Sequence, residues 1–228
     1  MGTTVLINPY QFGAAFTPTQ IAGLKVWLKA DTLALADNDP VDTWADQSGV
    51  GNNVTAAGTA RPLYKTNIRN GLPAVRFDGS NDMMSGASAV TFRHVFVAFY
   101  HNGAAFPIPG GAVGYSGVVS GTVNTDLVIL TGHEGTTRFF DDTLTTVYHR
   151  DGTLKAENDM QAPMLTWGVC AISYATGWTV TPRLGKDRNN SGRHLNGDIG
   201  EVLAYDTVLS TADRQSVEAY LKSRWATP

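Results

Sequence analysis

The chain has 228 residues, 43% of them hydrophobic and 16% charged, with 17 basic against 20 acidic side chains and a net charge of −3. That composition can bury a core, which excludes a disordered chain, and it contains no lysine or arginine run to track phosphates, so no nucleic-acid partner is expected. No segment reaches the roughly 18 uninterrupted apolar residues of a membrane helix, and the amino end lacks the pattern of a secretory signal, so membrane insertion is not expected.

Residues 1–18 mix Val5, Leu6, Ile7, Tyr10, Phe12 and Phe16 with proline and glycine. They read as an N-terminal arm or leader, a candidate for packing on a neighbouring subunit, ahead of one domain over 19–228. In residues 24–28, Leu24, Val26 and Leu28 alternate with Lys25 and Trp27, the period of a half-buried strand. After Trp44 comes Asp46-Gln-Ser-Gly, where Asp46 and Ser48 can satisfy backbone donors while Gly49 takes the bend. Residues 73–77 predict a strand with Val75 and Phe77 in the core, cut off by Asp78-Gly-Ser-Asn-Asp82.

Residues 94–100 are rich in valine and phenylalanine and predict another strand, whereas 103–121, with Pro107, Pro109 and several glycines, predict loops and short edge strands. Extended patterns resume at 126–130 and 145–150, and Asp151-Gly152 suits a hairpin turn. The most apolar stretch, 164–174, predicts a central strand and holds the only cysteine, Cys170. That residue can form no intrachain disulfide and is expected to be a small buried hydrophobe. Strands over 178–184 and 198–205 follow. The latter places Ile199, Glu201, Leu203 and Tyr205 on one face and Gly200, Val202 and Ala204 on the other. A carboxylate in an apolar row needs partners, so Glu201 is expected to accept structural hydrogen bonds from backbone or tyrosine. Residues 211–225 predict a helix capped by Ser210 and Asp213, with Val217, Tyr220, Leu221 and Trp225 at helical spacing. Many strands and one closing helix, with no composition break, make a single all-β sandwich domain.

Several fragments, in this order and spacing, resemble the laminin-G-like or concanavalin-A-like jelly-roll superfamily in its bacterial and tailed-phage branch. They are Leu24-Lys-Val-Trp-Leu-Lys-Ala-Asp31, Trp44-Ala-Asp-Gln-Ser-Gly-Val-Gly51, Arg61-Pro62, Gly71-Leu-Pro-Ala-Val-Arg-Phe-Asp-Gly-Ser-Asn-Asp82 and Leu195-Asn-Gly-Asp-Ile-Gly-Glu-Val-Leu-Ala-Tyr-Asp-Thr-Val-Leu-Ser210 followed by the helix. The resemblance implies an all-β, concanavalin-A-like jelly-roll sandwich of two antiparallel sheets with a C-terminal helix. Its members include carbohydrate-binding modules, lectins and accessory parts of virions, so it implies a fold more strongly than a ligand. The expectation is a non-enzymatic bacteriophage structural or adhesion protein in the capsid decoration, tail or fibre. Its partners would be itself or other virion proteins and a cell-surface glycan, and its location the virion. The alternative is an autonomous, extracellular carbohydrate-binding module, and a glycoside hydrolase is the distant third.

A sugar site needs an aromatic face beside polar donors and acceptors. Trp44, Tyr115, Tyr148 and Trp178 are candidate platforms, although core packing competes for both tryptophans, with Asn124, Asp126, Arg138 and Arg188 as polar contacts, the last in a polar loop over 185–194. Asp78, Asn81 and Asp82 put oxygen donors on one loop and form a calcium candidate, although loop hydrogen bonding competes for them. No other cofactor is expected. A glycosidase needs two carboxylates across the scissile bond. The Glu-x-Asp-x-x-Glu motif of some superfamily hydrolases is absent, and Asp198 and Glu201, three apart, fall on opposite faces of a regular strand. His94, His101, His133, His149 and His194 form no zinc-ligand spacing.

Overall fold

The computed structural model describes residues 16–102, 116–123, 128–131, 139–141, 146–156, 159 and 165–228. Strands are numbered along the chain. The larger sheet runs β12 (Thr153–Lys155), β11 (Thr146–Arg150), β13 (Trp167–Val180), β7 (Val90–His101), β15 (Asn196–Tyr205), β5 (Leu72–Asp78) and β4 (Leu63–Arg69). An eighth strand, β1 (Leu24–Lys29), also pairs with β15. The smaller sheet runs β10 (Phe139–Asp141), β9 (Val128–Thr131), β8 (Ser116–Ser120), β14 (Arg183–Leu184), β6 (Met84–Gly86), β3 (Val54–Thr55) and β2 (Thr43–Trp44). The pairings within both sheets are antiparallel. With the C-terminal helix α1 (Thr211–Trp225), this is the expected all-β sandwich.

Two cores follow from that layering. Between the sheets lie Val26, Leu28, Trp44, Val75, Phe77, Phe92, Val97, Phe99, Ile172 and Val202, among others. On the far side of the larger sheet, Trp27, Phe96, Ala98, Trp167, Ala171, Leu203 and Tyr205 pack against Val217, Leu221 and Trp225 of the helix. The larger sheet is therefore covered on both faces over the helix footprint. That explains why residues 95–100 of β7 form an unbroken apolar run, and why Trp27, on the face of β1 expected to meet water, is buried.

β15 organises the sheet because it changes neighbours halfway. Residues 196–199 pair with β5, residues 201–205 pair with β1, and β7 runs along its other edge throughout. The register shifts between Ile199 and Glu201. This bulge corrects the simple alternation: Ile199 enters the core between the sheets with Val202 and Ala204, while Glu201, Leu203 and Tyr205 face the helix. Gly200 sits at the bulge under the indole of Trp225, where an added Cβ would stand 2.2 Å from the ring.

The expected strand over 178–184 divides. Residues 178–180 end β13, and Arg183–Leu184 forms β14 in the opposite sheet. Pro182 between them has no N–H to continue a ladder, although its carbonyl accepts from Gly86 at 2.8 Å. The hairpin turn at Asp151-Gly152 is as expected, with φ of +50° and +84°. Helix α1 is capped by Ser210, whose hydroxyl accepts from the Asp213 N–H at 3.1 Å and donates to its carboxylate at 2.8 Å. At the amino end, Phe16 packs edge-on to Tyr220 at 6.2 Å and Tyr205 donates to the carbonyl of Pro18, so residues 16–18 join the body rather than standing apart from it.

Two predictions concern stability. Gly200→Ala forces a methyl group into the Trp225 ring and should cost about 1–3 kcal/mol, read from urea unfolding. His94, His101 and His149 are buried. Burial, with a neighbouring histidine or Arg214 for two of them, depresses their pKa values to about 3, about 4 and about 4. The unfolded chain therefore takes up these protons first, and stability should fall as pH drops from about 6.5 toward 4. Asp82, raised to about 6 by burial and the Asp78 charge, acts in the opposite sense and offsets part of the loss. Thermal melts between pH 7 and 4 test this; a flat profile contradicts it.

Candidate functional site

The bulge in β15 aims the Glu201 carboxylate under helix α1, where the residue is 0% exposed. Oε1 accepts from Trp27 Nε1 at 2.7 Å and the Tyr220 hydroxyl at 2.8 Å; Oε2 accepts from Arg224 Nε at 3.0 Å and Trp225 Nε1 at 3.2 Å. Two donors on each oxygen use the full acceptor capacity of a carboxylate, so Glu201 is structural, as its position in an apolar row suggested. Arg224 also pairs with Asp31 at 2.7 Å. Burial and the Glu201 charge raise the Tyr220 pKa, keeping its hydroxyl a donor.

From this hub the geometry leads outward. Trp225 stacks on Trp167 at 4.8 Å and 11°, and Trp167 contacts Tyr100 at 6.4 Å. Trp167 and Tyr100 border a groove of about 530 Å³ on the outer face of the larger sheet, beside the end of the helix. The groove crosses five neighbouring strands. β13 and the residues before it contribute Leu165, Thr166 and Trp167; β7 and its end give Tyr100 and Asn102; β15 gives Asn196 and Asp198; β5 gives Arg76; β4 gives Ile68 and Arg69.

Its polar groups are held in place. Arg76 grips Asp198 with two parallel bonds of 2.7 and 2.8 Å; the Asp198 side chain is 4% exposed and that of Arg76 45%, and both line the groove. Arg69 donates to the backbone carbonyls of Trp225 and Ala226, closing the helix C-terminus. Asn102 donates to the Asn196 side chain at 3.3 Å. At the rim, Leu165 is 67% exposed with a φ of +54°, a left-handed conformation uncommon for leucine, and its N–H donates to the carbonyl of His101. Exposed apolar and aromatic surface beside oriented guanidinium, amide and hydroxyl groups can hold a polar ring compound against the sheet.

The bulge also alters the carboxylate geometry. Asp198 and Glu201 share the outer face rather than falling on opposite faces, yet the first is taken by Arg76 and the second by its four donors. The groove itself went unrecognised in the sequence. Its one signal was a charge in each of two apolar strands, Arg76 and Asp198, which pair across β5 and β15.

The residues singled out for ligand binding do not converge there. Tyr148 is 3% exposed, within the core between the sheets, which leaves no ring face for a sugar. Trp178 is half-buried and packs against that same core. Arg188 is buried and paired with Asp187 at 2.8 Å. Asp187, 0% exposed, also binds Arg193 and Asn190, so loop 185–194 is a docked ion-paired structure rather than a solvated connection. Tyr115, Asn124, Asp126 and Arg138 lie outside the described residues. Trp44 is fully buried, and Cys170 is buried with its thiol pushed up to about 12 by desolvation.

In the calcium candidate, Asp78 Oδ1 accepts from the N–H groups of Ser80, Asn81 and Asp82; Asp82 Oδ2 accepts from the Asp78 N–H; Asn81 donates to the Thr59 carbonyl. Despite desolvation, those backbone donors hold Asp78 below its ordinary value. The loop spends one oxygen of each aspartate on its own backbone, and no group of three or more His, Cys, Asp or Glu able to hold a metal occurs among the described residues. Asp46 acts similarly: it accepts from the N–H groups of Trp27, Ser48, Gly51 and Asn52 and ties its turn to β1.

No family model matches the chain, and no curated protein matches it. Among solved structures it is similar to a Trypanosoma rangeli sialidase in complex with the inhibitor DANA, at 12% identity and a TM-score of 0.48. The match covers 93% of this chain and 34% of the sialidase. A likeness of that size carries no argument about fold family or activity.

Two outcomes are expected. Glu201→Gln turns a fully used acceptor into a group with two N–H donors facing other donors, and should destabilise the chain by about 3 kcal/mol in urea unfolding. Millimolar calcium should leave the melting temperature unchanged, since Asp78 and Asp82 are committed to backbone donors; a rise that Asp78→Asn abolishes would reverse this reading.

Proposed function

We propose that this chain is a non-enzymatic binding domain of the concanavalin-A-like kind, serving as a structural or adhesion component of a tailed-phage virion, with the groove beside Trp167 contacting a surface glycan. One observation carries the glycan reading: a concave site in which Tyr100 and the exposed Leu165 stand beside Arg76, Asn102, Thr166 and Asn196. Sugars present apolar C–H faces and a belt of hydroxyls, and this wall offers a surface for each.

The non-enzymatic part rests on how the carboxylates are used. Hydrolysis of a glycosidic bond requires an acid and a base or nucleophile free to exchange protons. Asp198, the carboxylate among the described groove residues, is locked in a bidentate pair with Arg76. The virion assignment rests on the fragment resemblance alone.

A glycan array followed by calorimetry tests the site. Saturable binding is expected, with no release of reducing ends. Leu165→Asp combined with Asn102→Ala should weaken it at least about tenfold while leaving the melting temperature unchanged. Binding unaffected by that pair would place the ligand elsewhere, and turnover would return the chain to the hydrolases. Light scattering on the full chain and on one starting at Phe16 tests assembly: an oligomer that becomes monomeric supports the virion role, and a monomer in both favours an autonomous carbohydrate-binding module.

A further inference from the structure

The charge of the groove is unbalanced. Its described walls carry two guanidinium groups, Arg69 and Arg76, and one carboxylate, Asp198, on a chain whose net charge is −3. Asp198 is spent on Arg76. Arg69 meets only neutral acceptors, the carbonyls of Trp225 and Ala226, which use its Nε and Nη2 and leave Nη1 without an acceptor among the described residues. The helix C-terminus contributes about half a negative charge there, so the excess is reduced but not cancelled. Its backbone contacts also fix the guanidinium at the groove wall, so little side-chain freedom is left to lose on binding.

Resting on the glycan reading of this groove, we propose that it selects sugars bearing an anionic substituent, a carboxylate or a sulfate ester. The anion sits at Nη1 of Arg69, and the sugar ring lies against Tyr100 and the exposed Leu165. Arg76, with its charge already matched by Asp198, serves as a hydroxyl donor in the same site. A planar fork with unused N–H groups is the donor best suited to a carboxylate or sulfate oxygen. The concave wall strengthens that attraction relative to open water.

The test is calorimetry on the full chain with three probes: hexagalacturonate, a sulfated galactan hexamer and neutral maltohexaose. At least one acidic probe should bind about tenfold or more tightly than the neutral one. The preference should shrink as salt rises from about 0.01 to about 0.15 M. Arg69→Gln should remove the preference and Arg69→Lys, which keeps the charge, should retain part of it. Whichever acidic probe binds identifies the anion as carboxylate or sulfate. Because Arg69 also closes the helix, the salt dependence of the unmodified chain stands as a readout that needs no variant. Equal affinity for acidic and neutral probes, or a preference indifferent to salt and to Arg69→Gln, overturns the proposal while leaving glycan binding intact. Binding to none of the three overturns it too, and the glycan array then decides the broader reading separately.

Discussion

The buried carboxylate of Glu201 is the constraint on which the outer half of this molecule depends. Removing a charge from water costs several kcal/mol unless its lone pairs are filled. Here they are filled by groups from two separated parts of the chain: Trp27 from the first strand, and Tyr220, Arg224 and Trp225 from the last helix. The carboxylate thus fixes where the helix lies on the sheet as well as that it lies there. A purely apolar contact would hold the helix almost as firmly but would specify its rotation and register less sharply. Four directed donors leave little choice.

The consequences run along the aromatic residues. Trp225, oriented by Glu201, stacks on Trp167, which borders the groove, and the last turn of the same helix supplies the carbonyls that hold Arg69 in the opposite wall. Both sides of the groove are therefore referenced to one helix end. The bulge at Gly200 is the backbone feature that permits this, since it turns Glu201 toward the helix and leaves no Cβ between the sheet and the Trp225 ring. Strand pairing, helix docking and groove shape meet within a few residues of β15.

The larger sheet consequently has two kinds of outer surface. Under the helix it is an apolar core; past the helix end it opens into a groove of paired charges, amides and aromatic edges. A rigid sheet beneath oriented polar groups favours recognition with little rearrangement, whereas proton exchange at Asp198 would first require breaking its pair with Arg76. This contrast underlies the proposal that the site binds rather than reacts.

The sequence by itself determined several of the longer strands, β1, β5, β7 and β15 among them, the capped helix, the burial of Val75, Phe77 and Cys170, and the need of Glu201 for partners. Each follows from local periodicity or from the cost of burying a polar group, which depends on neighbours only in kind. Tertiary structure alone decided the rest. The bulge that reversed the faces around Glu201 is one extra residue that no alternation pattern reveals. Trp27 was expected to meet water but is covered by a helix nearly 200 residues away in the chain. Tyr148, a sugar platform by composition, is a core residue because β11 lies inside the sandwich edge. The groove draws on five strands that are neighbours only after folding, so no linear motif could contain it. Local chemistry fixes what a residue requires; the order of strands in the sheet decides which residues meet to provide it.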